Sequence, residues 1–561
     1  MQIKLFKILL ITIILLYQTT TYSKTSDLNK FNHKYLSNYF SALLSYDNQN
    51  NDRALKYFNS SKFLLNKHEK FLKQYVLSLI IDGQVSKAIK QIKYSKNENY
   101  SNFFEAKILL VIDSLINKNF KKALKLLSNN NFDEDNTYEF IVHETLKSYS
   151  KIFLDKKIEA TDQNFGKLSL ITNAFQNCYL NTNKTKSHFI NLINVEDGDY
   201  SRYLFFYFGN IIENKEYESV KQISTTIDQL SNNLLILQSK KWIDESKFEK
   251  FNNYFSCKKE VDILAEFFFL ISNLYSSENN YEKSNFYLNI SNYLNPNFYF
   301  NLSLLVENHF DNNNFDSAKK VLQNFDKKEE IYNWYKIKKI SQIIANQNNK
   351  NEALKYVENN FKKYKKPSIK ILFDMGNIYK NHKKFEESIE YYSLVLPKIE
   401  SNSKAYAEIL YRRGGSYERL GKHKKSDADL LESLRIIPND PYVMNYLGYS
   451  WLERKYNISE AIEMLKRAYV QQKNDPYIID SVGWGYYLIG DYINAEKFLK
   501  KAVQMMPYDP IVNDHYADIL WKLNRKLQAK YFWESVLKMK DTEEEMKRKI
   551  IKKLLKGPDK I

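Results

Sequence analysis

The chain has 561 residues, 13 glycines, 9 prolines and a formal net charge of +18. So few turn formers disfavour a turn-rich all-β fold and suit helices, in several domains or in one long solenoid. Lysine is scattered and interleaved with Glu and Asp instead of forming a folded basic stripe, which argues against a nucleic-acid surface despite the sign of the charge.

Lys4 and Lys7 precede an apolar run from Ile8 to Tyr17, and small residues follow, with Thr21 and Ser23 placed for cleavage before Lys24. This order predicts a cleaved signal peptide over 1–23 and a mature chain in the periplasm. An uncleaved inner-membrane anchor is the alternative, although the run is short of the roughly 20 residues that a span needs. Cys178 and Cys257 are too few for a disulfide framework, so two buried free thiols are expected, with pairing in an oxidising compartment as the alternative. Neither lies in a CxxC or Cys/His metal spacing.

In chain order, Ala54, Ala88 and Ala123 recur at intervals of 34 and 35 residues, each in an amphipathic stretch, and predict hairpins over 35–130. Residues 131–260 hold helical runs such as Tyr138–Phe153 and Tyr200–Ile212 without a clean period. The acidic turn Val195–Asp199 lacks the ligand ladder and closing Glu of a calcium loop, and reads as a helix-capping turn. Over 261–365 the period returns through Ser284, Ala318 and Ala353. Over 366–540 it becomes explicit, with Gly376 and Tyr379, Gly414 and Tyr417, Gly448 and Trp451, and Gly483 and Tyr486. Ala461 and Ala495 occupy the second helices, and Pro507 closes a repeat. Asp440-Pro441, Asp475-Pro476 and Asp509-Pro510 each supply an N-cap followed by a proline suited to the first helical turn.

The stretch Asp475–Pro507 resembles the tetratricopeptide repeat, whose W-x2-L-G-x2-Y…A-x3-F…P pattern has a period of 34 residues. The runs MNYLGYSWLE, IIDSVGWGYYLIGDY and DPIVNDHYADILWKLNR, within 441–536, resemble exported tetratricopeptide proteins of alphaproteobacteria. The resemblance implies an all-α, right-handed α-solenoid of helix-turn-helix hairpins, divergent in its N-terminal half. It also implies that the first helix of each hairpin lines a concave, protein-binding side, and it implies no reaction.

A second stripe on those first helices is not required by the repeat. It contains Tyr442, Asn445, Tyr449 and Leu452, then Tyr477, Asp480, Trp484 and Tyr487, then Ile511, Asp514, Asp518 and Trp521. Aromatic area with a few polar groups is what a ligand groove needs. The expected ligand is a partner protein or an extended peptide, held by a non-catalytic scaffold of the cell envelope. The alternative is a glycan, in polysaccharide export or cell-wall assembly. No nucleophile motif, metal cluster or phosphate loop emerges, so neither enzyme nor cofactor is expected. His515 adjoins Asp514 but points elsewhere on a helix, and reads as a packed residue.

The tail 541–561 carries Met546, Ile550, Ile551, Leu554 and Leu555 on one helical face, surrounded by Lys and Arg. A helix capping the last repeat is expected. Peripheral contact with an anionic membrane through this basic helix is the alternative.

Overall fold

The computed structural model describes residues 33–558 apart from 96–97, 129–136, 159–162, 196–198, 231–232 and 348. The expected signal segment and the centre of the acidic turn at 195–199 lie outside the described residues. Among the described residues there are 30 α-helices and no strand, so the expected all-α architecture holds.

The chain opens with α1 (His33–Asp47), α2 (Asn51–Ser60), α3 (Glu69–Ile81), α4 (Val85–Tyr94), α5 (Phe104–Ile116) and α6 (Phe120–Ser128), which form three hairpins. Then come α7 (Thr137–Asp155), α8 (Lys167–Tyr179), α9 (Thr185–Ile193), α10 (Tyr203–Glu213), α11 (Tyr217–Ser224), α12 (Leu234–Asp244) and α13 (Glu249–Tyr254). Paired helices resume with α14 (Glu260–Ser277), α15 (Tyr281–Leu294), α16 (Phe300–Asp311), α17 (Phe315–Leu322), α18 (Glu330–Asn346) and α19 (Lys350–Phe361). The most regular hairpins are α20 (Ile369–Asn381) with α21 (Phe385–Val395), α22 (Lys404–Arg419) with α23 (His423–Ile436), and α24 (Pro441–Glu453) with α25 (Ile458–Gln471). They continue as α26 (Pro476–Leu488) with α27 (Tyr492–Met505) and α28 (Pro510–Lys522) with α29 (Lys526–Lys538), and end at α30 (Glu544–Lys556).

Two compact units share these helices. Unit 1 comprises residues up to Asn214 together with Glu249–Asn324, and unit 2 comprises Lys215–Phe248 together with Phe325 onward. In unit 1 every residue from Asp262 to Phe269 of α14 and from Ser284 to Ser291 of α15 is buried. A helix buried on all sides is a central one. The surrounding contacts agree, since α14 touches α5 and α7 while α15 touches α3 and α4. The inner side of the unit 1 hairpins is therefore filled by protein. Arg202 and Glu266 pair at 2.9 Å within this core, and the guanidinium lies 4.1 Å from the Phe269 ring centroid.

One expectation is overturned here. Cys178 and Cys257 form a disulfide with their Cα atoms 5.7 Å apart, so the thiols are not free. A separation of 79 residues hides a proximity created by aromatic packing. Phe175, Phe206 and Phe255 meet with ring centroids 4.7 to 5.7 Å apart and draw the end of α8 against the segment after α13.

Unit 2 shows why the repeat residues recur. Asp440, Asp475 and Asp509 each accept hydrogen bonds from two backbone N–H groups in the turn that follows, and each is followed by proline. These caps satisfy donors that a helix start otherwise leaves unpaired. Gly483 on α26 faces Leu499 on α27. A methyl added at Gly483 would lie 2.7 Å from Leu499 Cγ and 3.0 Å from its backbone nitrogen. The inner helix can approach its partner only where that methyl is missing. Ala461, Ala495 and Ala529 are fully buried in the corresponding outer helices. The segment 215–248 joins unit 2 through Trp242, whose indole donates to Glu329 at 2.8 Å.

The tail helix α30 covers the last repeat. Met546, Ile550 and Leu554 pack into the core formed by α26 to α29, whereas Ile551 and Leu555 stay exposed. Gly483→Ala will overpack the α26–α27 contact, and a loss of about 1–3 kcal/mol is expected from denaturant unfolding of the full chain.

Candidate functional site

The inner helices α24, α26 and α28 lie side by side, and the stripe of sequence-predicted site residues divides into two parts. Tyr442, Tyr477 and Ile511 stand in the first turns just after the Asp-Pro caps, at 50%, 59% and 53% exposure. They form an apolar row open to solvent. The rest of the stripe points into packed surroundings. Leu452 and Tyr487 are buried, and Asn445 and Tyr449 are half-buried, with Asn445 Oδ1 lacking a hydrogen-bond partner among the described residues.

The polar members form one cluster. Asp480 Oδ2 lies 2.9 Å from His515 Nδ1. The His515 ring stacks on Trp484 with centroids 4.1 Å apart, and Trp484 stacks in turn on Tyr487 at 4.7 Å. Trp484 Nε1 donates to Glu453 at 2.6 Å. Asp514 accepts from Trp533 Nε1 at 2.9 Å and from Lys553 Nζ at 2.7 and 2.8 Å. Asp518 Oδ2 accepts from the same ammonium at 2.8 Å. Trp521 packs 5.5 Å from Trp533 and against Gly557 at the end of α30. Trp484 and Asp480 are thus part of the packing between α26 and α28, and replacing them disturbs the fold as well as any ligand.

The electrostatics follow from this burial. Burial alone lowers the affinity of His515 for a proton, but the Asp480 carboxylate overrides it and holds the imidazole above its ordinary value. Burial raises Asp518, and the neighbouring charge of Asp514 adds to the shift. Lys553 is desolvated by burial yet held above its usual range by Asp518 and Asp514. Among the described residues no set of three or more His, Cys, Asp or Glu side chains is arranged to hold a metal ion.

His515 and Lys553 complete the cluster although spacing alone does not single them out. Lys553 is one of six basic residues around the tail helix, and its signal is its position three residues after the buried Ile550, at the edge of the apolar stripe. For His515 there is no comparable signal, because its partner lies 35 residues away on another helix.

The tetratricopeptide-repeat family model matches residues 333–541. This stretch is a tetratricopeptide-repeat array. A TPR repeat-containing protein of Pseudomonas aeruginosa is 31% identical over 112 residues, 19% of this chain and 19% of that protein. Anaphase-promoting complex subunit 3 of Dictyostelium discoideum is 29% identical over 126 residues, 22% of this chain and 12% of that protein. The matches thus span less than a fifth of each curated relative's length. A solved tetratricopeptide repeat protein from Parabacteroides merdae is 17% identical, covering 45% of this chain and 97% of its own, with a TM-score of 0.38. Tetratricopeptide arrays are in general scaffolds that bind proteins.

A histidine held above its ordinary value contributes stability that is fully present below about 6.5 and is lost as pH rises through the raised value. The melting-temperature advantage of the wild-type chain over His515→Gln is therefore expected to shrink as pH rises above about 6.5. Titrating groups outside this cluster cancel in the difference, which thermal melts of both proteins across the range will measure.

Proposed function

We propose that this protein is an exported, non-catalytic scaffold of the cell envelope that holds a partner protein through the inner face of its tetratricopeptide array. The observation that carries the binding reading is the row of Tyr442, Tyr477 and Ile511. It presents three apolar side chains to solvent at one repeat interval, above the acidic cluster of Asp480, Asp514 and Asp518. Exposed tyrosines beside polar groups suit protein recognition, because they bring large apolar area with little rotamer freedom to lose. Among the described residues of unit 1, α14 and α15 fill the inner side of the hairpins.

Export rests on two features that agree. The charged, apolar and small-residue order of 1–23 is that of a signal peptide, and the Cys178–Cys257 bridge is of the kind that persists in oxidising compartments.

A photoreactive residue at position 477 in the intact envelope is expected to crosslink to polypeptide. Tyr442→Ser with Ile511→Ser should reduce the adduct about tenfold without changing the melt, as exposed positions permit. Adducts made only with glycan or lipid would overturn the protein-binding reading. Mass spectrometry of the mature chain should find Lys24 at its start and Cys178 linked to Cys257. A chain beginning at Met1 with free thiols contradicts export.

A further inference from the structure

Lys553 projects from α30 into the acidic cluster of the array, and the cluster holds more acceptors than this lysine can serve. The ammonium uses both oxygens of Asp514 and Oδ2 of Asp518. Asp518 Oδ1 and Asp480 Oδ1 remain buried with no hydrogen-bond partner among the described residues. Their residues are 3% and 5% exposed. Buried carboxylate oxygens left unpaired are costly, so this floor calls for further donors. A guanidinium supplies five N–H donors in a planar fork that matches carboxylate pairs, where an ammonium supplies three from a point charge. The Lys553 side chain keeps 18% exposure, which leaves an opening toward solvent at the site.

The present occupant is held by a narrow apolar seam and by the one cation of Lys553. Among its residues only Ile550 is buried, and the Glu543–Lys383 ion pair beside its first turn joins two largely exposed side chains. Pairs of that kind add little stability. A helix with this seam can be exchanged for one that fills the floor better.

We infer that the floor formed by Asp480, Asp514 and Asp518 is the receptor for an arginine carried on an amphipathic helix of another protein, and that α30 occupies it until that helix takes its place. The inference rests on the groove reading above and adds a helical, arginine-bearing partner and its regulation by the tail. The chain's own helix shows the pose, with an apolar stripe against α28 and α29 and a cation turned down onto Asp514 and Asp518.

The test uses the full chain and a fluorescent synthetic peptide of residues 541–561 as probe, in three forms: unsubstituted, K553R and K553Q. The K553R peptide is expected to bind the Lys553→Gln chain about tenfold more tightly than the unsubstituted peptide does, and the K553Q peptide not measurably. The same K553R peptide should bind the wild-type chain at least about tenfold more weakly, because α30 must first leave. Equal affinity for the three peptides, or for the two chains, overturns the inference. A second variant guards against a folding defect. In the full chain Lys553→Arg should slow hydrogen exchange of the α30 amides about tenfold, and an unchanged rate counts against the receptor. Sedimentation that finds wild-type dimers with exchanged tails would assign the site to a second copy and overturn the inference as stated. The two readings fail separately. Loss of crosslinks at position 477 with peptide binding intact removes the groove partner alone, and the reverse pattern removes only the arginine receptor.

Discussion

Everything in unit 2 depends on how closely two helices can approach. A hairpin of this size cannot bury its apolar faces alone, so each inner helix must serve its own partner and the next hairpin at once. The gap at Gly483, filled by Leu499, lets it do so, and Ala461, Ala495 and Ala529 keep the opposite surface equally low. Side chains beyond this seam are released from packing within the hairpin. Asp480, Trp484 and their neighbours can then be chosen for what lies between repeats.

The two units use the same kind of hairpin to different ends. In unit 1 the inner surface closes on α14 and α15, several of whose polar residues pair with one another or with neighbouring helices. Ser284 donates to the Ser272 carbonyl, for example, and Asn308 donates to Ser284 and Asn285. In unit 2 the inner surface keeps exposed rings at its rim and unpaired carboxylate oxygens at its floor.

The repeats were legible because small residues at fixed intervals have one job. Ala54, Ala88 and Ala123, and again Ser284, Ala318 and Ala353, are buried where the period places them. The stretch 131–260 was opaque for the opposite reason. Helices such as α10 bury Tyr203 together with Phe205 through Phe208, and a helix covered on nearly every side has no polar face to mark its period. Within the stripe, spacing located Asp480, Asp514 and Asp518 on one face but gave no account of what covers that face. Ion pairs between residues 35 and 39 positions apart, such as those of Lys553 with Asp518 and Asp514, leave no local pattern. The disulfide was hidden in the same way.

That bridge has a further consequence for how the chain is made. The segment 215–248 leaves unit 1 at Asn214 and returns at Glu249, yet its partners in unit 2, such as Glu329, lie far downstream. On a growing chain it must wait, unpaired, until those residues emerge. The Cys178–Cys257 bond and the contacts of Glu213 with Ser256 and Lys258 fasten the two ends of this excursion together. The base of the loop can therefore be tied before its tip has anything to bind.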